Sequence, residues 1–363
     1  MEKTVKRLKA VRLTIEEMLA LARKAGLTYG VVYRVQVIHR DKFGYRDVAE
    51  KLPVDEDAVF QVASLTKNMV ASAVGVLVNE GKICWDTPIK NLLPEWNIWD
   101  TTVHNLTTIS DCLTRQTGLQ MNNYWLQSKN NIVVPREDSM ELINGLKPVK
   151  PFRGQFQYNN MDYRIAGHAW LKAAKHQFEN YESTTPDLPL KQVAHILSSQ
   201  IPIQSPSYHE ISYGLGFART QPPGPTGAKS APSQLTVYHP GSHPGVLAAL
   251  NLISESQIGL VILSNTLALV DIADWVGQLL IETVLDIPEK NDYLQITKDT
   301  VARALSWFSL MYKKLRENRQ SHPPQRLEEY IGVYWNAVGT VHIDVCLTEG
   351  RLNTILQGLP DKV

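Results

Sequence analysis

The chain has 363 residues, a net charge of +1, and 44% hydrophobic against 20% charged side chains. That balance fits a globular fold with a sizeable core and excludes a disordered segment. No Lys/Arg-rich cluster marks a nucleic-acid face, and no run reaches the roughly 18 apolar residues of a membrane span.

The basic start, Met1 to Arg7, is followed by no apolar stretch of signal-peptide length, so the expected location is cytoplasmic. Cys84, Cys112 and Cys346 are odd in number and widely spaced, which implies no disulfide framework. The ten histidines show no HExxH-like spacing, and neither a metal nor a cofactor is expected.

Thr14, with Glu17 three residues on and Gly26 beyond, predicts an amphipathic helix over residues 14–27. Residues 31–39 are β-branched and aromatic and predict a strand, and Asp41-Lys42-Phe43-Gly44 predicts the turn into a second one. Residues 59–63 lead into an apolar segment, 65–81, where Met69, Val70, Ala73, Val74, Leu77 and Val78 recur at helical spacing. Gly81 ends that helix. Short helices are expected over 89–93 and 108–113, then longer ones over 136–146 and 161–176. Residues 65–205 carry almost no strand signal. The β pattern returns over 214–219, 235–238, 246–253 and 258–264, with Ser254-Glu255-Ser256-Gln257 as a hairpin loop. A helix over 270–285, a polar helix over 298–319 and the linker-like Ser321-His322-Pro323-Pro324 follow. The remainder has strand-like runs, notably 341–347.

This order predicts an α+β fold, an antiparallel sheet with an inserted all-helical lobe rather than a βαβ repeat. The expected domains are 1–290 with the lobe at about 65–205, a helical linker over 291–325, and a small β extension over 326–363. That extension is expected to pack on the main domain or to be the opening of a larger barrel that this chain does not complete. A cleft between the lobes is the expected site.

Three short segments carry chemistry. Ser64-Leu65-Thr66-Lys67 is an S-x-x-K at the start of a predicted helix, where positions three apart share a face. Free N–H groups and the helix dipole there favour developing negative charge, and a desolvated lysine can act as a base. By itself the pattern also describes a helix cap with a solvated lysine. Tyr158-Asn159-Asn160 is a Y-x-N just before the helix from Met161. A tyrosine near cations can shuttle protons, and an asparagine can hold a lysine and a substrate amide; a buried tyrosine beside an N-cap reads the same way. His239-Pro240-Gly241-Ser242-His243-Pro244-Gly245 follows a strand. Its glycines let a substrate lie against a strand edge, with the Ser242 N–H beside that of Ser64 as oxyanion donors; a plain Gly/Pro turn is the alternative.

Taken in order and spacing, the three segments resemble the serine β-lactamase and penicillin-binding-protein superfamily, in its class C and esterase-like branch. Phe43-Gly44-Tyr45-Arg46-Asp47-Val48, Asn79-Glu80-Gly81-Lys82, Thr114-Arg115-Gln116-Thr117-Gly118-Leu119, Tyr213-Gly214-Leu215-Gly216-Phe217 and Val261-Ile262-Leu263-Ser264-Asn265 extend the likeness over about residues 8–286. The resemblance implies Ser64 as the acylated nucleophile, Lys67 and Tyr158 as its proton acceptors, and Asn160 as support for Lys67. Tyr158 also protonates the leaving group, and the N–H groups of Ser64 and Ser242 form the oxyanion hole. His239 stands where penicillin-recognising members carry lysine; a histidine, largely neutral at pH 7, weakens attraction for a substrate carboxylate. Tyr124, Trp125 and Gly241 are the candidate substrate contacts, although aromatics such as the first two are more often ordinary packing residues.

The expected activity is hydrolysis or acyl transfer on a small ester, thioester or amide, such as a biosynthetic metabolite. One alternative keeps the fold and uses the Lys/Tyr/His site for non-covalent acid–base chemistry. Another is a non-catalytic scaffold. The expected partner is a small molecule, with neither nucleic acid nor membrane, and a homodimer stays open.

Overall fold

The computed structural model describes residues 1–121, 138–174, 190–204, 210–222, 224, 226–266, 268–319, 326–336, 339 and 341–358. The chain opens with α1 (Glu2–Ala10), α2 (Arg12–Leu21), β1 (Gly26–Tyr33), β2 (Gln36–Asp47) and β3 (Leu52–Pro53). A 3₁₀ turn, Ala63–Leu65, leads into α3 (Thr66–Asn79). Helices follow: α4 (Ile89–Leu92), α5 (Thr101–Leu106), α6 (Ile109–Thr114), α7 (Ser139–Asn144), α8 (Asn160–Ala173) and α9 (Leu190–Leu197). Strands return as β4 (Ile201–Pro202), β5 (Ser212–Tyr213), β6 (Ala218–Thr220), β7 (Thr236–His243), β8 (Val246–Ile253) and β9 (Ile258–Ser264). Then come α10 (Ile272–Leu285), α11 (Tyr293–Glu317), β10 (Gly332–Trp335), β11 (His342–Thr348) and β12 (Arg351–Leu356).

Two compact units result, Met1–Ser72 with Leu190–Asn318, and Ala73–Pro189 with Arg319–Val363. Among the described residues the first unit holds a nine-stranded antiparallel sheet, in the order β3-β2-β1-β9-β8-β7-β6-β5-β4. The fold is thus α+β, a large antiparallel sheet with helices. Leu27, Tyr29 and Val31 of β1, Leu247, Ala249 and Ile253 of β8, and Ile258, Leu260 and Ile262 of β9 share one buried face by the period-two rule. Leu8, Ile15, Met18, Ala273, Val276 and Leu280 from α1, α2 and α10 join them in one core. Each fully buried aliphatic side chain contributes about 1.5–3 kcal/mol.

In the second unit, α4 to α8 enclose a core that includes Leu93, Trp96, Leu113, Ile165 and Ala169. The unit also contains a separate antiparallel sheet, β10-β11-β12. No helix among the described residues is long and apolar enough to cross a membrane.

Several boundaries differ from the sequence reading. The helix expected over 14–27 is α2, which starts at Arg12 and stops at Leu21, and a further helix, α1, precedes it. Thr14 therefore lies inside the first turn rather than capping it, and Leu27 belongs to β1. The strand expected over 31–39 is broken by a hairpin at Arg34 and Val35, both at positive φ (49° and 66°). The turn expected at Asp41 to Gly44 lies within β2, where Gly44 (φ 66°) crosses so near Ala25 that a Cβ would fall 1.9 Å from its carbonyl oxygen. Of the strand expected over 214–219 only the end is extended, as β6 from Ala218, while Gly214 to Phe217 form the turn that joins it to β5. The strand expected over 235–238 runs on through the His-Pro-Gly-Ser segment as β7. The helix read as polar over 298–319 starts at Tyr293 and leaves Trp307, Phe308 and Leu310 exposed.

Candidate active site

Ser64 lies in the 3₁₀ turn that opens α3, and Lys67 in the first turn of the helix itself. One turn of separation brings the Lys67 Nζ 2.9 Å from the Ser64 Oγ. Lys67 is only 9% exposed, so this amine and hydroxyl meet largely out of water. Ala63, just before the serine, holds a left-handed φ of 45°, a conformation that costs a side-chain-bearing residue about 1–2 kcal/mol. Buried Asn68 fixes the start of α3 by donating from Nδ2 to the Gly216 carbonyl at 2.6 Å. The approach is tight: a Cβ on Gly216 would fall 2.9 Å from the Lys67 carbonyl oxygen.

β7 passes the same turn at equally close range. A Cβ on Gly241 would lie 2.5 Å from the Val62 carbonyl oxygen and 3.2 Å from the Ala248 Cβ. The β6–β7 ladder ends at Tyr238, while β8 pairs with β7 without a slip from Thr236 to His243. Ser254 donates to the Leu235 carbonyl at the foot of that ladder. Strand alternation then turns odd-numbered residues of β7 toward β8 and the N–H of Ser242 toward the opposite edge. Pro240, which has no N–H to give, also falls on that edge, where proline is tolerated. His239 is buried, and both its ring nitrogens are engaged: Nδ1 lies 2.6 Å from the Pro240 carbonyl and Nε2 3.0 Å from the Tyr213 hydroxyl. A neutral imidazole satisfies both, with Nδ1–H donating and Nε2 accepting.

Tyr158 and Asn160 belong to the second unit. Two main-chain anchors straddle Tyr158. The Gln157 N–H donates to the Arg115 carbonyl at 3.1 Å, and the Asn159 side chain donates to the Leu119 carbonyl at 3.0 Å. Asn159 also caps α8 by accepting from the Met161 N–H at 2.9 Å, as the Y-x-N reading allowed, and Asn160 is the first residue of that helix. Arg153 pins the preceding loop through two 2.7 Å bonds to Asp111, whose own oxygen closes a capping box with Thr108. Tyr158 is 37% exposed.

Tyr124 and Trp125 lie outside the described residues. Of the remaining candidates, Ser64, Lys67, His239, Gly241 and Ser242 fall in the first unit and Tyr158 and Asn160 in the second. Among the described residues no three His, Cys, Asp or Glu side chains cluster as a metal site would require.

The sequence model of the family described as Beta-lactamase matches residues 11–185, a span that contains Ser64, Lys67, Tyr158 and Asn160. That span is similar to the Beta-lactamase family. Its fold is similar to that of the octameric penicillin-binding protein homologue from Pyrococcus abyssi, with a TM-score of 0.63 and 16% identity over 96% of this chain and 90% of that one. In sequence, this β-lactamase-like chain is 34% identical to Esterase EstB of Burkholderia gladioli over 113 residues, 31% of its own length. It is 36% identical to Protein Rv1367c of Mycobacterium tuberculosis over 75 residues, 20% of its length. The matches span only 28% and 19% of those two relatives.

Against the superfamily pattern, the structure adds residues that spacing did not single out. Arg115 and Thr117 were legible only as part of a family-like string. Arg115 is fully buried at the left-handed C-cap of α6, and Asp162, fully buried on α8, accepts from the Thr117 hydroxyl at 2.8 Å. Burial pushes the Asp162 carboxyl up to about 8, against the opposing pull of the Thr117 hydrogen bond and the Arg115 charge. Tyr213 was visible only as family-like text too, although it is the hydroxyl partner of His239.

Proposed function

We propose that this chain is a serine hydrolase that takes an acyl group from a small ester, thioester or amide onto Ser64. The observation that carries the reading is the 2.9 Å contact between the Lys67 Nζ and the Ser64 Oγ at the start of a helix. Lys67 in its amine form takes the hydroxyl proton as the Oγ attacks the substrate carbonyl. The oxyanion that forms is met by the N–H groups of Ser64 and Ser242, the latter turned to the edge of β7 away from β8. The proton passes on to the leaving group, which departs as alcohol, thiol or amine; the family resemblance assigns that transfer to Tyr158 and the support of Lys67 to Asn160. Water then adds to the acyl ester with the same groups as base, releasing the acid and restoring Ser64. An alcohol in place of water would give acyl transfer by the same steps.

The esterase relative supports an ester substrate. His239 supports an uncharged acyl portion, because its imidazole is held between the Pro240 carbonyl and the Tyr213 hydroxyl and brings no fixed cation to the β7 edge. In this reading His239 shapes the strand rather than transferring protons.

The test is covalent trapping. Incubation with a fluorophosphonate or an activated ester, followed by intact mass measurement, is expected to add one label on Ser64. Ser64→Ala should abolish it. Native turnover by Ser64→Ala would overturn the acyl-enzyme and leave non-covalent acid–base chemistry. A panel of p-nitrophenyl esters of graded chain length then reads the acyl preference.

A further inference from the structure

The second unit buries a cation beside the one residue of that unit to which the proposed chemistry gives a proton-transfer role. The Arg115 guanidinium carbon lies 3.6 Å from the centre of the Tyr158 ring and 5.0 Å from that of Tyr163. The two rings differ in what their hydroxyls can do. Tyr163 is buried and donates to the Leu113 carbonyl at 2.6 Å, so its phenol is committed to structure. Tyr158 is more than a third exposed, and both its neighbours are anchored, Gln157 by its N–H to the Arg115 carbonyl and Asn159 by its side chain to that of Leu119. Arg115 thus grips this residue twice, by its carbonyl through the chain and by its side chain through the ring.

We propose that Arg115 is a positioning residue for Tyr158: its guanidinium, stacked on the phenol, fixes the ring and favours the anionic form that proton relay requires. The inference rests on the reading of Tyr158 as a proton carrier. A planar cation on a ring face is attracted to its π density, and the attraction grows when the phenol carries negative charge. Arginine suits the place better than lysine because it is planar, weakly hydrated and permanently charged.

Other charged groups among the described residues lie in this region. Arg153, from the loop, and Asp111, from α6, neutralise each other. The buried Cys112 thiol of α6 is pushed far up by desolvation and stays neutral. Asp162 of α8 feels the Arg115 charge, and burial drives it toward its acid form near neutrality. Its second carboxyl oxygen has no hydrogen-bond partner among the described residues.

The test follows Tyr158 itself rather than turnover. Protein labelled with ¹³C at the tyrosine ζ carbon is titrated by NMR, and the Tyr158 signal is assigned by its loss in Tyr158→Phe. Arg115→Gln is expected to raise the Tyr158 titration midpoint by about one pH unit, a tenfold change in the phenol–phenolate ratio. Arg115→Lys keeps the charge and should hold the midpoint near wild type, while the loss of the planar face speeds ring flipping, seen as averaged ring resonances. A folded Arg115→Gln protein with the wild-type midpoint overturns the proposal. Should Arg115→Gln not fold, Arg115→Lys decides alone: a midpoint raised by about a unit, or a ring still fixed, overturns it. Because neither readout needs catalysis, failure of Ser64 labelling and failure of this inference appear as separate results.

Discussion

At the scale of the residue, catalysis in the proposed reading depends on a buried lysine one helical turn from a serine. Lys67→Ala is expected to lower the rate of Ser64 labelling by roughly 10²–10⁴-fold, the range typical of losing a general base. Timed fluorophosphonate incorporation measures it, and an unchanged rate would remove Lys67 from its role. Gly241 tests the neighbouring strand. Any side chain there would start 2.5 Å from the Val62 carbonyl, so β7 and the serine turn must part. Gly241→Val should cost about 1–3 kcal/mol in urea unfolding and should slow labelling in protein that remains folded. The S-x-x-K was readable because helical geometry ties residues three apart whatever surrounds them. Arg115 was not, because a buried arginine is recognised by the rings around it, and no spacing rule records those.

At the scale of the element, the β1–β2 hairpin shows where local sequence gives no warning. Arg34 and Val35 both take positive φ, the pattern of a type I′ turn that Asn-Gly would fill without strain. Val35 is 97% exposed, so replacing it removes little packing. Arg34→Asn with Val35→Gly is expected to stabilise the protein by about 1–2 kcal/mol, read as a higher urea midpoint with unchanged slope. The missing Gly signal is also why residues 31–39 read as one unbroken strand. The expected limits of 246–253 and 258–264 match the structure for β9, where burial alternates, and for β8, whose first four residues are all buried. The helix opened by Ser64 was readable from its apolar spacing. The helix α1 escaped because Leu8 is its one fully buried side chain among many charged ones, too sparse a stripe to show a period.

At the scale of the whole molecule, burial of acidic groups sets a pH dependence with a definite sign. Asp162 of the second unit is held up to about 8 and Asp274 of the first to about 7, in both cases chiefly by desolvation. Between the ordinary value of 3.8 and these raised values the folded chain binds protons that the unfolded chain has released. Stability is therefore fullest below about pH 4 from these two groups and declines as pH rises through about 7 to 8. Urea unfolding at pH 5, 6, 7 and 8 should give falling free energies, and Asp274→Asn should flatten the slope for the first unit. A rise over that interval would show that the two carboxyls are ionised in the fold.

The β1–β9 ladder has a further consequence, for the order in which a ribosome delivers the parts. Leu27 pairs with Ser264, so a strand made early waits for one made some two hundred residues later. At a synthesis rate of 5–20 residues per second that wait is roughly ten to fifty seconds. Throughout it the inner edge of β1 has no neighbour and the serine turn has no strand behind it. Assembly of the nucleophile's surroundings thus falls late in translation, and the nascent first hairpin is the segment that most needs a chaperone's cover.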